Sequence, residues 1–234
     1  LASAGGLLAF EAAGVAVDLN FHPYLVLFGV LVMRLPLVAG VAPLVDRRAA
    51  VALGLLALYA YGVEYVGATT GIPYGDFEYL IELGPMLGGA VPLALPLLYL
   101  PLVVNGYLLG LALLGRYGDG WLGAGRTPRV VAGVAALLLV DLALDPGAVA
   151  IGFWAYDAAG GYYGVPLSNY AGWLVTGTIA VVGVEFAFDR TALQDRIDDA
   201  PYVLDDLVSF VVLWGGINLG VGNWLAVAVA AGIA

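Results

Sequence analysis

The sequence predicts an all-α polytopic integral membrane protein of about seven transmembrane helices, with its N-terminus cytoplasmic. Three observations predict it. Apolar residues make up 62% of the 234 residues and charged ones only 11%, more apolar surface than a soluble domain of this size uses. Those residues gather into runs near the roughly 20 residues that a helix needs to cross a bilayer. Arginine then alternates along the connections: Arg47 and Arg48, then Arg116, Arg126 and Arg129, then Arg190 and Arg196, while the intervening connections carry none.

The runs cover residues 1–17, 23–45, 49–68, 85–114, 129–146, 169–188 and 203–231. The first is short and would be completed by residues preceding Leu1; no cleavable signal pattern is seen. The second carries Arg34 near its middle and the third carries Glu64. The fourth holds Pro85, Pro92, Pro96 and Pro101, which predicts a kink or an interruption. The fifth ends on Asp141 and Asp145-Pro146. The fourth and seventh are long enough to tilt strongly or to extend past the bilayer. By the positive-inside rule the Arg-bearing connections are cytoplasmic, and the C-terminus lies outside. The 34 glycines let helices approach closely. No repeat or linker divides the chain, so residues 1–234 read as a single transmembrane domain.

Several function classes are excluded or disfavoured. Cysteine is absent, which removes disulfides and thiolate metal sites. A lone histidine, His22, argues against a histidine metal cluster or a Ser-His-Asp triad. All eight basic residues are arginine, so no lysine can carry a retinal Schiff base. The net charge of −10, with aspartates dense between Asp189 and Asp206, suits a high-salt cytoplasm. It argues against nucleic acid and against polybasic lipid contacts. GATTG is no phosphate loop, because no lysine follows it.

An acid deep in an apolar helix is costly and marks a place where a proton, an ion or a partner is needed. Glu64 and Asp141 each lie a few residues from the outer end of their runs, about 6–8 Å below the boundary at roughly 1.5 Å per residue. Asp145 is one turn beyond Asp141, so the two can share a face. Tyr61 and Tyr65 flank Glu64, and both acidic runs lead into Arg-free loops rich in Tyr, Trp, Gly and Pro. One pocket near the outer leaflet is expected, lined by carboxylates, tyrosines and tryptophans. Carboxyl groups in a dry site favour their neutral form, and two close together cannot comfortably both ionise. A neutral acid beside aromatic faces is suited to protonating an alkene. The rings stabilise the cation, and a second carboxylate delivers water. This chemistry requires no metal, nucleotide or redox cofactor.

Plainer readings stand beside it. Glu64 and Asp141 could pair with Arg34 as a structural ion pair, with Arg34 a buried counter-ion or anchor. Asp145 before Pro146 could simply end a helix. Glu11 and Glu185 read as solvated or interfacial, the Asp195–Asp206 run as a solvated loop, and His22 as interfacial. Trp121, Trp214 and Trp224 read as belt or packing residues, and Asn105, Asn218 and Asn223 as links between helices.

Two groups of residues carry a family resemblance. One is Glu64, Gly67, Thr70-Gly71, Pro73-Tyr74-Gly75, Tyr79, Leu83-Gly84-Pro85, Pro92 and Pro96. The other is Asp141, Asp145-Pro146, Trp154, the stretch from Gly161 to Pro166 reading GYYGVP, Asn169 and Gly172-Trp173. Together they resemble the carotenoid-biosynthesis membrane family, which includes carotenoid hydratases, over about Asn20 to Phe188. Tyr99, where Trp is expected, and Tyr170, where Phe is commoner, are aromatic departures that leave the resemblance intact.

The resemblance implies cofactor-independent addition of water to terminal C=C bonds of a carotenoid. With a halophile-like composition, the C50 conversion of bisanhydrobacterioruberin to bacterioruberin is favoured. On the physical argument, Asp141 or Glu64 is the proton donor, and Asp145 with Asn169 positions the water. Tyr65, Tyr162, Tyr163 and Trp154 shield the cation, and Tyr74, Tyr79 and Trp173 complete the substrate-binding set. Expected partners are the isoprenoid lipid, membrane lipids and other carotenoid-biosynthesis enzymes, in the cell membrane, with no nucleic acid. Two rivals remain: an isoprenoid transferase or cyclase, for which Asp141 and Asp145 form a single DxxxD pair, and a non-catalytic carotenoid-binding subunit.

Overall fold

A computed structural model describes residues 23–81, 84–116 and 125–234. The first apolar run, Glu11, His22 and Trp121 lie outside the described residues. The chain is a polytopic helical membrane protein. Among the described residues, six segments are long and apolar enough to cross a membrane: Leu27–Leu44, Arg47–Thr70, Leu95–Gly115, Arg126–Ala150, Leu167–Ala187 and Pro201–Val221.

The elements run α1 (Pro23–Val41), α2 (Arg47–Thr70), β1 (Phe77–Tyr79), β2 (Met86–Leu87), β3 (Val91–Pro92), α3 (Leu95–Arg116) and α4 (Arg126–Ala150). Then follow β4 (Trp154–Tyr156), α5 (Leu167–Ala187), α6 (Arg190–Asp199), α7 (Asp205–Val221) and α8 (Trp224–Ile233). Asp46 caps α2 by accepting from the Ala49 N–H at 2.8 Å.

Helix α4 is central and packs against α3, α5, α7 and α8. Its closest approach is to α3, through Gly106, Gly110 and Gly133. A Cβ on Gly110 would stand 2.6 Å from the Gly133 nitrogen, so no larger residue fits. Apolar side chains on α1 and α2, among them Phe28, Leu35, Leu55 and Leu58, point away from this core. In a bilayer that outward face meets lipid.

Two of the seven expected runs are not single helices. The fourth opens as a hairpin, with Met86 paired to Pro92 and Leu87 to Val91. Gly88 and Gly89 turn it at φ 58° and 74°. Helix α3 starts only at Leu95, with Pro96 in its first turn, where no backbone donor is needed. The seventh breaks at Gly222-Asn223, where the chain doubles back. A Cβ on Gly215 of α7 would lie 3.0 Å from the Ala230 Cβ of α8. At ten residues, α8 rises only about 15 Å.

The fifth run continues past its proline: α4 reaches Ala150, and Asp145 does not end it. Pro146 cannot donate to the Leu142 carbonyl one turn back. The Tyr162 hydroxyl donates to that carbonyl instead, at 3.1 Å. Asn218 donates to the Ala143 carbonyl at 2.7 Å and Asn223 to the Pro146 carbonyl at 3.2 Å, linking α7 and α8 to α4.

The arginine-bearing ends gather on one side. Arg48 donates to the Phe186 carbonyl at 2.5 Å, Arg126 lies 4.2 Å from the Phe186 ring centre, and Arg196 donates to the Gly40 carbonyl at 2.8 Å. Glu185 is buried there rather than solvated, accepting from Arg129 and from the Tyr107 hydroxyl. Arg129 is buried beside it, and a guanidinium brought into an apolar helix end needs such an anion.

Candidate active site

At the opposite end the two Arg-free loops form one ribbon. Strands β1 and β4 pair antiparallel, Phe77 with Tyr156 and Tyr79 with Trp154. Side chains alternate along a strand, so these four aromatic residues share one face while Glu78 turns out to solvent. All four line a chamber of about 150 Å³ beneath the ribbon. That is the size of a cavity that holds a benzene ring, enough for one isoprenoid terminus.

Carboxyl groups from separate helices meet in this chamber. Glu64 lies six residues before the end of α2 at Thr70, and Asp145 five before the end of α4 at Ala150. At roughly 1.5 Å per residue they sit at similar depth, and both line the chamber. Asp141 is one turn deeper, fully buried, and outside the lining. Asn169 of α5 joins the two aspartates: its Nδ2 donates to Asp141 Oδ2 at 3.3 Å and also to Asp145 Oδ2. The second oxygen of Asp141 has no hydrogen-bond partner among the described residues.

The ribbon supplies donors to the same carboxyls. The Tyr79 hydroxyl donates to Glu64 Oε1, and the Tyr156 hydroxyl to Asp145 Oδ2 at 3.3 Å. Burial first, and then the Glu64 carboxyl, hold the Tyr79 hydroxyl well above the usual tyrosine range. Burial followed by Asp145 and Asp141 does the same for Tyr156. Both tyrosines therefore stay protonated and act as donors.

Aromatic rings form the remaining walls. Tyr74 wedges between α2 and α5, where Gly67 and Gly172 leave room; a Cβ on either would approach its ring to 2.9 or 2.6 Å. Its hydroxyl donates to Thr176 Oγ1 at 3.0 Å, and burial above all pushes that hydroxyl up. Trp173 stacks on Tyr99 at 5.6 Å and 19°, and Trp154 stands edge-on to Tyr79 at 6.5 Å.

Of the residues expected at the site, Glu64, Asp145, Tyr74, Tyr79, Trp154, Asn169 and Trp173 line the chamber, and Asp141 adjoins it through Asn169. Tyr65, Tyr162 and Tyr163 do not line it. Tyr65 is 44% exposed and faces the Gly88 turn. Tyr162 serves the Leu142 carbonyl, and the Tyr163 hydroxyl accepts from the Leu225 N–H at 3.0 Å, at the start of α8. Arg34 pairs neither with Glu64 nor with Asp141. Its Nη1 donates to Asp206 Oδ1 at 2.5 Å, and Asn105 donates to the other oxygen at 2.8 Å. Asp206 is thus fully buried, not part of a solvated loop. It opens an apolar helix whose inward face takes it to Arg34.

Sequence reasoning missed Tyr156, Phe77 and Phe153 as lining residues, and took Trp214 for belt or packing. The F-E-Y and W-A-Y alternations held the signal, since period two puts both aromatics of each triplet on one face.

No solved structure matches the chain. The bisanhydrobacterioruberin hydratase of Haloarcula japonica is 56% identical over 231 residues, covering 99% of this chain and 74% of that protein. A family model described as carotenoid biosynthesis protein matches residues 21–234. The chain belongs to the carotenoid biosynthesis protein family.

Proposed function

We propose that the protein is a carotenoid hydratase. It adds water to a terminal C=C bond of a C50 carotenoid, converting bisanhydrobacterioruberin to bacterioruberin, with no cofactor. The observation that carries this is Glu64 and Asp145 lining one aromatic chamber, in a chain 56% identical to a protein named for that reaction.

Glu64 accepts from Tyr79 at Oε1, which leaves its other oxygen to carry the proton for transfer. That proton goes to the less substituted alkene carbon as the double bond opens. The tertiary cation forms beside the ring faces of Tyr79, Trp154 and Trp173. Asp145, which accepts from Tyr156 and Asn169, takes a proton from water as the water oxygen bonds to the cation. Proton return from Asp145 to Glu64 through water completes the cycle. The net change is addition of one water, the reverse of a hydro-lyase elimination.

The enzyme would sit in the cell membrane, with the arginine-bearing end cytoplasmic and the chamber toward the outer leaflet. The polyene would lie between helices with its end under the ribbon. Membranes containing the protein, incubated with the anhydro-carotenoid, should yield product heavier by one water per end hydrated. Pigment that co-purifies unchanged in mass would indicate a binding subunit instead.

A further inference from the structure

A second concavity lies at the arginine-bearing end, away from the chamber. It is an open groove of about 650 Å³, lined by Asp46, Arg47, Arg48, Val51 and Leu55 and, from α5, by Phe186. That volume falls within the range of small-ligand sites. Arg48 Nε donates to the Phe186 carbonyl at 2.5 Å, which fixes its guanidinium at the groove. Arg47 makes no hydrogen bond or ion pair among the described residues. Arg126 lies 4.2 Å from the Phe186 ring centre.

The acids nearby are already engaged. Asp46 Oδ1 accepts from the Ala49 N–H at 2.8 Å. Glu185 pairs with Arg129 and stands 3.8 Å from Arg126. Arg47, Arg48, Arg126 and Arg129 therefore face Asp46 and Glu185, four positive charges against two, in a chain of net charge −10. The overall charge disfavours anions, and this groove is a local exception.

Below its guanidinium groups the groove turns apolar. Arg47, Val51 and Leu55 recur every four residues and share one face of α2. Val51 is 57% exposed and Leu55 60%, on the face that meets lipid. Leu55 lies about 12 Å along the axis from Arg47, at roughly 1.5 Å per residue. A soluble anion would use the arginines and leave this stripe bare. An acidic protein segment would reach the stripe only by entering the bilayer. A molecule with an anionic head and an apolar tail matches both parts.

The geometry points to a binding site for an anionic phospholipid. Its phosphate oxygens accept from Arg47 and Arg48, and its hydrocarbon chain lies along Val51 and Leu55. The lipid braces α2 against α5 at the end opposite the chamber.

Thermal unfolding of the full chain in detergent tests this. Dioleoyl phosphatidylglycerol, dioleoyl phosphatidylcholine, inorganic phosphate or hexaglutamate is added in about 1 M potassium chloride, where long-range attraction is screened and direct contacts remain. The wild type is compared with Arg47→Gln and with Arg190→Gln, a control on α6 outside the groove. Arg47→Gln breaks no bond among the described residues, so a lost response is not lost folding. Phosphatidylglycerol should raise the wild-type midpoint with increasing concentration, and phosphatidylcholine should need about tenfold more. Arg47→Gln should weaken the phosphatidylglycerol response about tenfold, by loss of a charged hydrogen bond, and Arg190→Gln should leave it unchanged. Equal responses to the two lipids, or an unaltered response in Arg47→Gln, would overturn the site. Inorganic phosphate or hexaglutamate acting as strongly as phosphatidylglycerol would assign the groove to a free anion or an acidic protein and overturn the lipid.

Discussion

The Tyr79 hydroxyl, carried on β1, donates to Oε1 of Glu64 on α2. Glu64 is thus held by the ribbon that covers it, and on the proposed mechanism chemistry and closure share one contact. Glu64→Gln keeps the shape and removes the transferable proton. It should lower hydration by at least about 10²-fold, the range of general acid catalysis, with unchanged protein in the membrane fraction. Tyr79→Phe should cost less, because the acid remains while its orientation loosens. Pigment mass spectra against immunoblot level measure both.

Asn169 binds both aspartates through one amide group. Asp145→Asn should match Glu64→Gln in loss of hydration, because Asp145 faces the chamber. Asp141→Asn should be milder, because Asp141 lies outside the chamber lining and adjoins it through Asn169. Asn169→Leu leaves two buried carboxyls without their shared donor and should lower both activity and detergent stability. Equal losses for Asp141→Asn and Asp145→Asn would show that depth does not separate their roles.

Arg34 and Asp206 are buried together, with side chains 4% and 0% exposed. Removing one partner strands the other charge. Arg34→Leu or Asp206→Leu alone should destabilise by about 3–5 kcal/mol, whereas the double replacement should recover much of that. Thermal unfolding in detergent reads the three variants. Equal destabilisation by the single and double replacements would contradict the pairing.

Sidedness can be mapped cleanly because the chain has no cysteine. Glu78→Cys on the ribbon and Asp195→Cys on α6 are exposed positions at opposite ends. A membrane-impermeant thiol reagent added to intact cells should label the first and spare the second. The reverse labelling would invert the orientation.

Much of this was legible in the residues. Glu64, Asp141 and Asp145 stand out because acids in apolar runs are costly, and helical spacing puts Asp141 and Asp145 on one face. The alternation of arginine matches the end where Arg48, Arg126 and Arg196 gather. What the residues hid depends on partners distant in sequence. Asp206 reads as one more acid in an acidic stretch until Arg34, 172 residues away, is seen beside it. Glu185 likewise needs Arg129 and Tyr107 to explain its burial. The pairing of β1 with β4 joins loops on either side of α3 and α4, and triplets are too short for periodicity to declare them. The break in the last run is marked only by Gly222-Asn223, and a hydropathy window averages across it.

In the proposed reaction a carboxyl on α2 protonates the alkene and a second on α4 receives the proton of the attacking water. Running the reaction in deuterium oxide tests it most directly, with mass spectrometry and NMR locating the label. One deuterium should be fixed on the carbon next to each new alcohol, and Glu64→Gln should give neither alcohol nor label. Product from Glu64→Gln at the wild-type rate, or wild-type product with no carbon-bound deuterium, would contradict it.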